Sequence, residues 1–250
     1  MLQVILSLFL LNGYNTASGS ELVKLATARY RSSYRTAAQD ARRTLDPKLV
    51  SMSGTTTKTF VPKGWKSQDE QAGDLNGDGL PDAVLQLIED KPARDAKDEF
   101  QERQRALLIL FKTADGKYAR AAVANKLLMC ASCGGMLGGS AGDAPGADVK
   151  IEKGVLIVSQ LSGSRESTDL LQRFRYDARS QKFLLIGQDI TSADRLVGNS
   201  EVISTNFLTG KQVIERRKYN QKTDQEVVLS KQIKVVAKAR KTIEQVDFEQ

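Results

Sequence analysis

The segment FRYDARSQKFLL, residues 174–185, indicates how this chain folds. Two short stretches rich in aromatic and aliphatic residues flank the polar run DARSQ, whose residue types favour a turn. Successive side chains of a strand point to opposite faces. Phe174 and Tyr176 would therefore share one face, and Arg173 and Arg175 the other. The segment predicts an antiparallel β-hairpin with one buried face and one solvated face.

Similar segments recur along the chain beyond Pro47. They are short, rich in Val, Ile, Leu and aromatic residues, and bounded by turn residues. Their sequences are DAVLQLIE, RALLILFK, GVLIVSQL, LLQRFRYD, KFLLIGQD, EVISTNFL, KQVIERRKY and QEVVLSKQIKVV. Polar turns at residues 114–116, 177–181 and 209–210 would join neighbouring strands into hairpins. We therefore predict a mainly β protein, a β-rich globular body of antiparallel hairpins, with an α+β fold as the alternative.

The amino-terminal part of the sequence has a different character. Residues 1–19 contain no charged side chain and carry an apolar block followed by small polar residues, which is typical of a secretory signal peptide. The block is shorter than the roughly 20 apolar residues that a membrane-spanning helix needs. Residues 20–45 have apolar side chains at helical spacing, between a possible N-cap at Ser20 and a helix-breaking Pro47. We predict a cleaved signal peptide over 1–19, a helix over 20–45, and one β-rich domain over 20–250.

Charge and composition narrow the classes of function. The chain has no histidine, which removes Ser-His-Asp and Cys-His nucleophile systems and histidine metal sites. The glycine-rich segment 134–148 lacks the Gly-Lys-Ser/Thr of a phosphate-binding loop. The segment 89–105 is almost wholly charged, and we expect it to be a solvated insertion. The net charge of +7 favours an acidic protein partner. Nucleic acid is not expected, because basic and aromatic residues of the 173–176 strand would face apart.

The stretch GDLNGDGLPDAVL, residues 73–85, has the composition of a calcium loop. Calcium takes six to eight oxygen ligands, and alternate polar side chains around a glycine supply them compactly. The oxygens at positions 1, 3, 5, 7 and 9 belong to Asp74, Asn76, Asp78, the Leu80 carbonyl and Asp82. Position 12 is Leu85, where an EF-hand needs glutamate. The alternative is a polar turn built on the dipeptides Asn-Gly and Asp-Gly.

The spacing D-x-N-x-D-G-x-x-D before an apolar strand resembles the calcium loop of FG-GAP or VCBS-type repeats of extracellular proteins. The resemblance implies that Ca²⁺ lies among the five oxygen donors as a structural ion. The chain carries one copy, whereas a propeller of that family needs several, so the resemblance does not extend to the fold. The order of this loop, a CxxCGG segment and NFLTGK is also similar to uncharacterised secreted proteins of Gram-negative bacteria.

Cys130 and Cys133 are the two cysteines of the chain. Zinc would need further thiolate or imidazole ligands, which the sequence lacks. In an exported protein the pair is expected to form a short-range disulfide at the base of the glycine-rich segment. The alternative is a redox-active CxxC pair, which would need a lowered thiol pKa.

These observations together predict an exported protein, periplasmic or extracellular, without stable membrane insertion. Its predicted role is non-enzymatic: a calcium-stabilised binding or structural protein, with an inhibitor-like or immunity-like action on another protein as the concrete version. The alternative is an extracytoplasmic enzyme, either a CxxC thiol-disulfide oxidoreductase or a carboxylate-based hydrolase.

Overall fold

A computed structural model of the chain describes residues 44–138, 146–220, 222–238 and 241–248. The predicted signal peptide over 1–19 lies outside these residues. The predicted helix over 20–45 also lies outside them, except Thr44 and Leu45, which are in irregular chain. Among the described residues, no helix has the length and hydropathy that a bilayer crossing requires.

The described chain is built mainly from antiparallel strands, as predicted, with short 3-10 helices at Pro47–Leu49, Thr57–Phe60 and Ile243–Gln245. The strands are β1 (Ser53–Gly54), β2 (Trp65–Gly73), β3 (Asp82–Glu89), β4 (Arg105–Lys112), β5 (Tyr118–Ala124), β6 (Asp148–Glu152), β7 (Val155–Gly163), β8 (Glu166–Asp177), β9 (Lys182–Asp194), β10 (Asn199–Asn206), β11 (Lys211–Asn220) and β12 (Gln225–Val235).

The strands form two sheets with simple connections. The first sheet has the order β1-β5-β4-β3-β2, and the second has the order β12-β11-β10-β9-β8-β7-β6. Consecutive strands of the second sheet are neighbours, so hairpins build all of it. The segment quoted first forms the β8–β9 hairpin, in which Phe174 lies opposite Leu185.

The main core lies between the two sheets. Val84 and Ile109 from the first sheet pack in one apolar cluster with Leu156, Phe174 and Leu185 from the second. Aromatic rings extend this cluster: Phe111 meets Tyr176 edge to face at 4.9 Å, and Tyr176 lies 5.3 Å from Phe183 between ring centroids. The sandwich therefore buries one face of β7, β8 and the first half of β9.

A second core covers the opposite face of the first sheet. Leu85 and Leu108 pack there with Leu45, Val50 and Phe60, which precede β2 in the chain. Every residue of β3 is buried as a result. This two-sided burial explains why DAVLQLIE is a nearly continuous apolar run and not an alternating one.

The charged segment 89–105 differs in part from the prediction. It is irregular and largely exposed, with one isolated bridge between Arg94 and Phe100. However, Arg103 and Arg105 are buried at its end, with 0% and 1% of their surface exposed. Glu89 and Gln104 are buried as well, so the prediction of a solvated insertion is wrong at both ends of the segment.

The last three strands extend beyond the sandwich. The described core residues lie on β3 to β9 and on the segments beside them, and none lies on β10, β11 or β12. Every residue of β12 is exposed. After β12 the chain returns to the sandwich, where Ile243 and Val246 enter the main core. Within the described residues, the outer strands thus add nothing to the two apolar cores: β12 is exposed, many residues of β10 and β11 are half-buried, and the chain on both sides fixes them to the sandwich.

Candidate functional site

The loop between β2 and β3 contains the residues predicted to bind metal. Gly73 and Asp82 at its two ends lie opposite each other in the β2–β3 ladder. Gly77 and Gly79 have φ angles of 84° and 81°. Glycine adopts this left-handed region without a side-chain clash, so the loop can turn twice within a few residues. The oxygen-bearing side chains are thereby carried on one tight loop.

Hydrogen bonds within this loop satisfy its polar side chains. The two carboxylate oxygens of Asp74 accept the N–H groups of Gly77 at 2.7 Å and Gly79 at 2.9 Å. These bonds lower the pKa of Asp74 below its ordinary value, so its side chain stays ionised. Asn76 and Asp78 each accept the N–H two residues further along, at 2.9 and 2.8 Å.

Asp82 has a different role from the other residues of the loop. Its side chain is buried, and its two oxygens accept the backbone N–H groups of Leu75 and Lys112, each at 2.9 Å. Burial raises the pKa of Asp82, and these two hydrogen bonds oppose the rise. Asp82 therefore joins the start of β3 to the loop and to the end of β4.

The donor set of the loop suits calcium in chemical type. Carboxylate, amide and carbonyl oxygens are the ligands that Ca²⁺ takes, and an oxygen that accepts one N–H keeps a further lone pair. The three aspartates do not, however, form a cluster in which one oxygen from each lies within 4.8 Å of the others. Cation binding at this loop would therefore require its carboxylates to draw together.

The predicted disulfide is confirmed. Cys130 and Cys133 are joined, with Cα atoms 5.1 Å apart. The two cysteines differ in access: Cys130 is buried, with 2% of its surface exposed, whereas Cys133 is exposed.

Both sheets hold the chain before the disulfide. The buried amide of Gln160 on β7 accepts the N–H of Met129 at 2.7 Å and donates to the Leu127 carbonyl at 3.0 Å. On the side of the first sheet, Arg105 donates to the Met129 carbonyl at 3.2 Å, and Ala131 donates to the Arg103 carbonyl at 2.9 Å. Cys130 is therefore placed by contacts that do not involve its sulfur.

One carboxylate lies beside the disulfide. Glu102, Cys130 and Cys133 form the group of three within the described residues whose ligand atoms all lie within 4.8 Å of one another. Glu102 is exposed, and its Oε1 accepts a hydrogen bond from Gln104 at 2.8 Å. Sequence reasoning missed this residue, because it lies far from the cysteines along the chain and in a segment full of other charges.

Two buried arginines, Arg103 and Arg105, lie beside the segment that holds Cys130 and Cys133. Burial and the neighbouring charge of Arg103 lower the pKa of Arg105 to about 10. Arg105 is held by Gln68 on β2, whose Oε1 accepts from its Nε at 3.0 Å. Arg105 is still charged at pH 7, so it places a positive charge beside the cysteine segment.

A groove opens at one end of the outer strands, between the β9–β10 turn and the β11–β12 hairpin. Its described lining combines three cationic side chains with apolar ones and contains no carboxylate. The lining residues are Arg195, Val197, Gly198, Lys218, Tyr219, Asn220, Lys222, Val227 and Leu229. Within the described residues, none of the three cations forms an ion pair. Basic charge and apolar surface therefore meet at this groove.

Comparisons with family models, with curated proteins and with solved structures found no match for this chain. No relative therefore assigns a metal, an activity or a partner to any of its residues. The resemblance of the acidic loop to FG-GAP or VCBS-type calcium loops stays a prediction.

Proposed function

We propose that this chain is an exported, calcium-stabilised binding protein that takes up an acidic segment of another protein at the groove of its outer strands. The observation that carries the proposal is the lining of that groove, with Arg195, Lys218 and Lys222 beside Tyr219 and Leu229 and no described carboxylate. Binding of this kind blocks a surface of the partner, which is the action of an inhibitor or immunity protein.

The charge of the outer strands supports an acidic partner. Residues 195–238 contain nine lysines and arginines and four aspartates and glutamates, so they hold most of the net charge of +7. A surface of one sign attracts an oppositely charged partner and speeds its association. The same excess weakens self-association of the outer strands.

The apolar surface of the outer strands supports a protein partner over a small ion. Leu229 and Ile233 on β12 are exposed to 63% and 61%. Large apolar side chains that cluster on one exposed strand are typical of interaction surfaces. Lys231 and a β-bulge at Arg216/Arg217 interrupt the edge, which limits uncontrolled strand pairing.

Calcium has a structural part in this proposal. The loop 74–82 precedes β3, the most buried strand, and Asp82 already links that strand to its surroundings. An ion among the loop oxygens would offset the repulsion of three carboxylates and hold the entrance to β3. Export accords with the Cys130–Cys133 disulfide, because disulfides form and persist in oxidising compartments outside the cytoplasm.

Capture from an envelope extract tests the binding role. The bait is the full chain, compared with the groove variant Lys218→Glu/Leu229→Ser and the matched surface variant Lys48→Glu/Leu49→Ser. We expect the wild type and the matched variant to retain the same acidic protein, and the groove variant to lose it. Retention should also fall as salt rises from about 0.05 to 0.5 M, since exposed charges are screened. Equal retention by the groove variant would contradict the proposal.

A thermal melt tests the calcium part separately. Ca²⁺ that binds the folded state alone must raise the melting temperature in proportion to the logarithm of its free concentration above the Kd. We expect this rise for the wild type and for Asp115→Ala, an aspartate in another turn, but not for Asp74→Ala/Asp78→Ala. A melting temperature that is the same in Ca²⁺ and in chelator would remove calcium from the proposal and leave the groove untouched.

A further inference from the structure

We propose that Cys130 and Cys133 are a redox-active pair that exchanges with external thiols, with Cys133 as the attacked residue and the Glu102 carboxylate as a charge that slows the exchange. The pair combines one exposed and one buried cysteine, and an oxygen of Glu102 lies within 4.8 Å of both sulfurs. This inference does not depend on the groove or on calcium.

The difference in burial fixes the direction of the exchange. An incoming thiolate reaches Cys133, which is exposed, and cannot reach Cys130, which is buried. Its sulfur bonds to Cys133 Sγ while the Cys130–Cys133 bond breaks and the electron pair leaves on Cys130 Sγ. The Cys130 thiolate then takes up a proton from water. A second external thiolate attacks the sulfur that the first one brought, which releases an external disulfide and reduces Cys133.

Contacts away from the sulfurs should retain Cys130 in place when the sulfur–sulfur bond opens. Its segment is held by the Gln160 amide, the Arg105 guanidinium and the Arg103 carbonyl, none of which touches the bond itself. A hydroxyl also lies close, with Ser132 Oγ 3.7 Å from Cys130 Sγ. It can donate a hydrogen bond to the leaving thiolate. The reduced pair therefore stays positioned to close again.

Glu102 acts on this cycle through its charge. A carboxylate beside two sulfurs disfavours a thiolate on either of them. It therefore opposes the Cys130 thiolate that leaves when the pair opens. It also opposes the Cys130 thiolate that attacks the mixed disulfide on Cys133 when the pair closes. Glu102 thus slows exchange in both directions.

Equilibration of the folded full chain with glutathione tests the pair. We expect the wild type to become half reduced at an intermediate ratio of reduced to oxidised glutathione while it remains folded. Glu102→Gln should speed both opening and closure by about three- to tenfold, as expected for loss of one partly solvated charge. It should leave the equilibrium constant at pH 7 nearly unchanged, because both thiols of the reduced pair are protonated there. The matched control Glu99→Gln, an exposed carboxylate of the same segment, should change neither rate.

Single-cysteine variants test which sulfur is attacked. With oxidised glutathione, Cys133 of the Cys130→Ser variant should form a mixed disulfide at least about tenfold faster than Cys130 of the Cys133→Ser variant. Equal rates would overturn the assignment of Cys133. Reduction of the wild type only on unfolding, or equal behaviour of Glu102→Gln and Glu99→Gln, would overturn the proposal as a whole.

Discussion

Asp82 illustrates how one side chain can have a structural use apart from a ligand role. Both of its oxygens bind backbone N–H groups in a buried place. Removal of the side chain leaves the N–H groups of Leu75 and Lys112 without their partner, and each buried unsatisfied group costs about 1 to 3 kcal/mol. We expect Asp82→Ala to lower the free energy of unfolding by about 3 kcal/mol even in chelator.

Two comparisons make this prediction specific to Asp82. Asp82→Asn keeps one carbonyl oxygen as an acceptor, so it should lower the free energy of unfolding by roughly half as much as Asp82→Ala does. Asp78→Ala changes an exposed turn, so it should lower the free energy of unfolding by less than about 1 kcal/mol in chelator. Urea unfolding measures all three. A loss for Asp82→Ala no larger than that for Asp78→Ala would show that the buried hydrogen bonds contribute little.

A bidentate ion pair gives a pH dependence that can be measured at one residue. Arg165 donates to both oxygens of Asp194, at 3.1 and 2.7 Å. This contact lowers the pKa of Asp194 from 3.8 to about 2. A lowered pKa in the folded state means that the ionised carboxylate favours folding above pH of about 4, and that this contribution is lost as pH falls toward 2.

Arg165→Gln should move the pKa of Asp194 back toward 3.8 and make acid unfolding less steep between pH of about 4 and 2. A carboxyl NMR titration reads the pKa directly. The control is Arg175→Gln, which removes an exposed arginine of β8, the strand that follows Arg165. An unchanged titration of Asp194 in Arg165→Gln would mean that backbone N–H groups alone lower its pKa.

At the scale of elements, the short disulfide loop predicts a modest stability effect. Chain-entropy arguments give a bond between residues three apart about 2 kcal/mol, because the loop it closes is small. We expect the double variant Cys130→Ala/Cys133→Ala to remain folded and to lose about that amount in urea unfolding. Loss of the native circular dichroism in this variant would mean that the bond, and not the flanking hydrogen bonds, holds the segment.

Burial on both faces explains which strands the sequence could predict. DAVLQLIE and RALLILFK coincide with β3 and β4, because strands in the middle of a doubly covered sheet must be apolar. β2, whose sequence is WKSQDEQAG, was not predicted. It lies at the edge of its sheet, is only partly buried, and is extended because it pairs with β3. Its backbone pairing, and not its side chains, makes it a strand.

The candidate sites also divide into features that sequence spacing predicts and features that depend on packing. The disulfide is local in sequence, so residue spacing was enough to predict it. The oxygen donors of the loop 74–82 are equally local, and their binding of calcium stays a prediction. The contact of Glu102 with the cysteines and the groove lining depend on packing between distant segments. The buried role of Asp82 also depends on a distant partner, the N–H of Lys112. Spacing alone contains no information on such contacts.

At the scale of the whole molecule, the described chain divides into a packed sandwich and outer strands that add nothing to its cores. The apolar residues of β12 face solvent, whereas the segment that follows it returns to the main core. Ile243 and Val246 are exposed to 0% and 4%, and Ile233 and Val235 to 61% and 92%. Side chains of the same types thus lie in opposite environments about ten residues apart along the chain.

This contrast predicts unequal costs for two matched double variants. Ile243→Ala/Val246→Ala removes buried groups and leaves cavities, so it should lower the free energy of unfolding by about 5 kcal/mol. Ile233→Ala/Val235→Ala removes exposed groups and should lower it by less than about 1 kcal/mol. Urea unfolding of both variants measures the difference. Equal losses would show that the β12 face is covered in solution, by the chain itself or by a second copy, and that it is not free to take part in binding.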